Sequence, residues 1–158
     1  MKLRTILLTA FGAALLLCTV SCQKDQKGFS GTVVDLGVAV KWATTNAGAN
    51  KQGEIGTEMT LEEAQAYVAE SKKWKLPTIA YWQDLLENCT SANYAVNDDG
   101  SKGFLVIGKE GASIYIPAGK YLGELVDDQI NYFDLTSATP KTRQTATLTE
   151  KFCIRLVK

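Results

Sequence analysis

The segment Trp74-Lys75-Leu76-Pro77-Thr78-Ile79-Ala80-Tyr81-Trp82-Gln83-Asp84-Leu85-Leu86-Glu87-Asn88-Cys89 decides how the chain is read. Proline disfavours the α conformation in the residue before it, so Leu76 is expected to be extended. Thr78 then serves as a helix N-cap, its hydroxyl accepting from an otherwise unpaired first-turn N–H. Trp82, Leu85, Leu86 and Cys89 follow at i, i+3, i+4 and i+7, one face of a helix. Pro77 and Trp82 can pack across the cap as a hydrophobic staple. Trp74 and Leu76 can close on that face from the extended approach, which places both tryptophans in the core.

Upstream, Val34, Leu36, Val38, Val40 and Trp42 alternate with smaller or polar residues, a strand pattern with a bend at Gly37. Asn46-Ala47-Gly48-Ala49-Asn50 has turn chemistry. Thr60-Leu61-Glu62-Glu63 is a capping box, which starts a first helix with Leu61, Ala64, Tyr67 and Val68 on its apolar side. Its glutamates suit the positive end of the helix and need no catalytic role.

Downstream, Asn97-Asp98-Asp99-Gly100 forms a turn. Phe104–Ile107 and Ala112–Ile116 read as a hairpin, with Gly111 suited to a left-handed position. Phe152–Val157 reads as a closing strand. Residues 118–149 show no clear period. They hold Tyr121, Tyr132 and Phe133 beside Asp127 and Asp128, and these five form the candidate ligand face. Rings stack on sugar CH groups and carboxylates accept from hydroxyls. The competing reading is a solvated loop whose aromatics dip into the core.

The chain has 158 residues, enough for one core, with 17 basic and 17 acidic side chains and no histidine. Balanced charge argues against a nucleic-acid partner. The lack of histidine removes Ser-His-Asp and Cys-His nucleophile systems and every imidazole metal ligand. No catalytic residue, metal site or cofactor is expected. A glycan-cleaving carboxylate pair is the surviving enzymatic alternative.

Residues 1–21 have the parts of a secretory signal: basic Lys2 and Arg4, an apolar run from Ile6 to Val20, then small residues before Cys22. Thr19-Val20-Ser21-Cys22 resembles a bacterial lipobox, which implies cleavage before Cys22 and its acylation. Plain secretion with Cys22 as an ordinary thiol is the other reading. Residues 22–30 would be the lipidated cysteine and a short tether, and 31–158 a single domain. Gln23-Lys24-Asp25 resembles the surface-export tag of Bacteroidetes lipoproteins. The expected location is therefore the outer membrane, lipid-anchored and facing outward, with a periplasm-facing domain as the alternative.

The order Val34-Asp35-Leu36-Gly37, Val40-Lys41-Trp42-Ala43-Thr44, Trp74-Lys75-Leu76-Pro77-Thr78 with Trp82, Ser113-Ile114-Tyr115-Ile116-Pro117 and Ile154-Arg155-Leu156-Val157 resembles the Fibrobacter succinogenes major paralogous domain. That family is related to C-type-lectin-like proteins. The resemblance implies an α+β fold: two helices packed on a small antiparallel sheet, with the N- and C-terminal strands close together. The calcium-dependent sugar motifs of true C-type lectins do not occur here, and no catalytic residue is implied.

Cys89 and Cys153 are either bridged or two buried thiols. A bridge is permitted in an oxidising compartment and would contribute about 2–4 kcal/mol. The function these readings support is a lipid-anchored, non-enzymatic envelope module that binds a glycan or an envelope protein. A structural or fimbria-associated subunit without a soluble ligand is the alternative.

Overall fold

The computed structural model describes Phe29 and residues 31–158; Cys22 and the signal and tether readings lie outside the described residues. The order of elements is β1 (Val33–Val34), β2 (Trp42–Asn46), α1 (Leu61–Ala69), α2 (Ile79–Asn88), β3 (Ser91–Val96), β4 (Lys102–Ile107), β5 (Ser113–Pro117), β6 (Lys120–Val126), β7 (Gln129–Asp134), β8 (Lys141–Ala146) and β9 (Arg155–Val157). The strands form three antiparallel sheets, β1-β2-β9, β3-β4-β5 and β6-β7-β8.

This corrects the expected α+β, C-type-lectin-like arrangement. The described chain is β-rich, with two short helices, rather than a pair of helices on one small sheet. The discrepancy lies mainly in 118–149, which forms a three-stranded meander instead of a loop. Its pattern is hidden for three reasons. Tyr121, Leu122 and Gly123 are buried in succession, as are Tyr132 to Leu135, so period-two alternation is lost. β8 is Lys-Thr-Arg-Gln-Thr-Ala, a polar outer strand held by backbone pairing with β7. The hairpin between β6 and β7 turns on Asp127 and Asp128, at φ +50° and +60°, without the usual glycine.

The helix signals correspond to observed caps. Thr60 Oγ1 accepts from the Glu63 N–H at 3.3 Å, and Glu63 Oε2 accepts from the Thr60 N–H at 2.8 Å. Thr78 Oγ1 accepts from the Tyr81 N–H at 3.3 Å. Such caps contribute about 1 kcal/mol each. Gly111 has φ +82°, between β4 and β5.

Two apolar clusters share the sheets. Trp42, Trp82, Leu85, Tyr121, Phe133 and Val157 belong to one. Ala43, Trp74, Leu122, Tyr132, Phe152 and Leu156 belong to the other. Successive residues of β2, β6, β7 and β9 therefore enter different clusters, which buries both faces of those strands. Lys75 exchanges backbone hydrogen bonds with Val157 at 2.9 and 3.0 Å, fastening the approach to α2 onto the closing strand. Trp74 stacks edge-on with Phe29 and lies under the Lys158 ammonium.

Candidate functional site: a groove between helix α2 and the third sheet

The five residues of the candidate ligand face do not share a surface. Tyr121 and Phe133 are completely buried in the first cluster. Tyr132 is buried in the second, against Phe152. Asp127 and Asp128 are exposed at the tip of the β6–β7 hairpin. Their role there is local: aspartate tolerates the left-handed backbone that a two-residue turn needs. The aromatic and acidic residues are adjacent in sequence but separate in space.

Cys89 and Cys153 are both free thiols, which removes the bridged alternative. Cys89 ends α2, half-buried, near Asp84 and Lys109. Cys153 faces elsewhere. Its sulfur lies 4.0 Å from Glu58 Oε1 and 2.7 Å from where a Cβ on Gly119 would stand. Burial, reinforced by the Glu58 carboxylate, pushes the Cys153 thiol up to about 12. It is an inert thiol at neutral pH.

A buried polar centre lies between the first sheet and β6. The Tyr121 hydroxyl donates to Pro117 O at 2.7 Å and accepts from Asn46 Nδ2 at 3.1 Å. Arg155, opposite Asn46 on β9, donates from Nη2 to Tyr115 O at 2.6 Å. Burial lowers the Arg155 pKa to about 10, so it stays charged at neutral pH. These groups are closed off from solvent, and none of them lines a surface groove at α2, at α1 or at the β6–β7 tip.

A candidate site among the described residues lies where the first turns of α2 cross β6-β7-β8. A groove of about 260 Å³ is lined there by Ile79, Ala80 and Gln83 from the helix and by Glu124, Val126, Asn131 and Arg143 from the sheet. Two β-bulges build it. On β6, Leu122 pairs with Tyr132 and Glu124 with Asn131, so Gly123 is an extra residue. Strand side chains alternate, so without this insertion Glu124 would share the side of Leu122 and point into the second cluster. The extra residue turns it to the helix side. On β8, Thr142 and Arg143 together oppose Phe133, since Gln144 pairs with Tyr132 and Lys141 with Asp134. Arg143 has φ +55°, a left-handed backbone that costs a non-glycine residue about 1–2 kcal/mol. Bulges re-aim side chains in this way.

Gly123 also sets the closeness of the helix. A Cβ there would lie 2.6 Å from Asn131 O and 2.6 Å from Ile79 Cδ1. Only glycine lets Ile79 rest on the strand.

No hydrogen bond or ion pair ties the side chains of Gln83, Glu124, Asn131 or Arg143 to another described residue. In two other grooves a charged side chain is already engaged. One of about 280 Å³ beside α1 contains Glu63, which is occupied by its cap and by Lys151 at 3.3 Å. An open one of about 460 Å³ at the β6–β7 tip contains Asp128 and Glu150, and Glu150 Oε1 accepts from the Thr147 N–H at 3.4 Å.

The four polar groove residues were missed in the sequence because none stands in a motif. The available signal was Gly123 inside a strand-like run, which marks a bulge or a close backbone approach. Among the described residues no group of three or more His, Cys, Asp or Glu is placed to hold a metal, and no helix is long and apolar enough to cross a membrane. No family model, curated protein or solved structure matches the chain.

Proposed function

We propose that the protein is a non-enzymatic binding module of the cell envelope, anchored through Cys22, that takes its ligand in the groove between α2 and β6-β7-β8. One observation carries this reading: a bulge at Gly123 turns Glu124 to the face where Arg143, in the β8 bulge, also lies, and neither has a partner in the described chain. Glu124 is half-buried and Arg143 exposed, so water serves both in the free protein, and the left-handed backbone at Arg143 costs stability. Free polar groups held by strained backbone suit recognition of something outside the chain. The groups whose pKa values move most, Tyr121, Cys153 and Arg155, lie in the interior and not in this groove. The envelope location rests on the lipobox-like Thr19–Cys22 and the export-tag-like Gln23–Asp25.

The test uses the full-length chain on intact cells and a panel of immobilised glycans. A Glu124→Ala/Arg143→Ala double variant is expected to lose at least about 90% of captured cells, since two charged contacts together are worth well over one factor of ten. Proteinase K should remove the domain from intact cells while sparing a periplasmic marker, and Cys22→Ala should release it from the membrane. Glycan capture that survives the double substitution would move the site elsewhere. Protection from proteinase would place the domain on the periplasmic side.

A further inference from the structure

The groove can be read further for the chemistry of its occupant; this step rests on its being the binding site. Arg143 offers a planar fork of N–H donors, which matches a carboxylate in two parallel hydrogen bonds. Glu124, ionised, only accepts, which suits hydroxyl donors. Gln83 and Asn131 can each donate and accept, as sugar hydroxyls require. Ile79 and Val126 supply an apolar wall for CH groups. No aromatic ring lines the groove, so a neutral sugar finds no stacking platform there.

Three alternatives fit less well. A phosphate dianion would meet the Glu124 carboxylate in the same small space, whereas a single carboxylate can pair with Arg143 while hydroxyls face Glu124. An amino-acid zwitterion would occupy the two charges and leave both amides idle. An extended peptide would add to the outer edge of β8, but the bulge at Thr142 and Arg143 breaks that edge. A volume of about 260 Å³ holds roughly one sugar ring.

We infer that the groove between α2 and β6-β7-β8 binds a uronic-acid residue of an acidic polysaccharide, with Arg143 on its carboxylate, Glu124 on its hydroxyls, and Gln83 and Asn131 fixing its orientation.

The experiment is calorimetric titration of the full-length chain in detergent micelles with matched trimers. Galacturonate, glucuronate and mannuronate trimers are each compared with the galactose, glucose and mannose trimers that carry a hydroxymethyl group in place of the carboxylate. At least one acidic trimer is expected to bind tenfold or more tighter than its neutral partner, with an affinity that falls as salt rises. Arg143→Asn, whose new side chain tolerates the left-handed backbone, should erase both the preference and the salt dependence. Arg143→Lys should keep the salt dependence and weaken binding severalfold. Glu124→Gln should weaken acidic and neutral trimers alike. Thermal melts of the variants check that each is folded.

Equal affinity for acidic and neutral trimers, both weakened by Glu124→Gln, would overturn the acidic ligand and leave the groove standing. Binding indifferent to every one of these substitutions would overturn the groove itself. Failure of all six trimers to bind, with serine or glutamate as added zwitterionic probes binding instead, would replace the sugar acid by an amino acid. Failure of every probe would overturn the proposal.

Discussion

Trp82 and Gln83 are consecutive on α2 and face two different regions. Trp82 is fully buried, stacked within 5.0 Å of Tyr121 and 4.7 Å of Trp42, with Nε1 donating to Leu122 O. Gln83 lines the groove with no partner for its amide. On the Trp82 side Tyr121 and Asn46 Nδ2 are engaged and Arg155 is held through Tyr115 O, while Trp42 Nε1, Asn46 Oδ1 and Arg155 Nε and Nη1 are buried without a partner. On the Gln83 side four polar side chains are free. The difference separates two uses of a polar group. An engaged, buried one fixes how sheets meet; a free one beside strained backbone is available to a ligand.

Mutations on the two sides should therefore separate stability from binding. The largest effect is expected for Trp82→Ala. It removes the ring that joins α2 to β6 and leaves Leu122 O without its donor. A Trp→Ala change in a core costs about 3–5 kcal/mol, read by urea denaturation. A cost under about 1 kcal/mol would mean that the centre repacks around the loss. Tyr121→Phe keeps the ring but strips Pro117 O and Asn46 Nδ2 of one partner each, at about 1–3 kcal/mol. Asn131→Ala, on the groove side, should stay within about 0.5 kcal/mol of the parent. Equal costs at 121 and 131 would erase the distinction between the two regions.

Legibility in the sequence follows the same divide. The first region announced itself. Pro77-Thr78 and the Trp82, Leu85 spacing marked α2 and its buried face, because capping and helical periodicity act over a few residues. Thr60 and Glu63 marked α1 likewise. The meander of β6, β7 and β8 did not. Its two bulges shift the side-chain phase in mid-strand, at Gly123 and at Thr142-Arg143, so no continuous alternation exists to be read. The ligand face inferred from Tyr121, Tyr132 and Phe133 failed because an aromatic buried between two sheets looks, in sequence, like one on a surface. The groove was illegible for a further reason. Gln83, Glu124, Asn131 and Arg143 come from four elements, and only strand register brings them together.

A last prediction tests the burial of Cys153, which joins the closing segment to the first cluster. Its thiol titrates near 9 when solvated and near 12 in the fold. Between those values the unfolded chain has lost a proton that the folded chain retains, so stability falls as pH rises. The contribution is fully present below pH 9 and exhausted above about pH 12. Burial also raises Tyr121, which adds to the loss above pH 10. Arg155 acts in the opposite sense: its folded pKa, lowered by burial to about 10, lets the fold shed a proton that the unfolded chain keeps to higher pH. The cleanest window is therefore pH 9 to 10, where the Tyr121 loss and the Arg155 gain are each under half of the Cys153 contribution and oppose each other. Cys153 alone should remove about 1 kcal/mol across it. Urea midpoints at both pH values should show that slope in the parent and less than half of it in Cys153→Ala. The half-buried Cys89, raised more weakly by burial and Asp84, supplies the remainder. An unchanged slope in Cys153→Ala would put that thiol in contact with water and loosen the closing strand from the core, while a slope abolished by Cys89→Ala instead would shift the sensitive thiol to the end of α2.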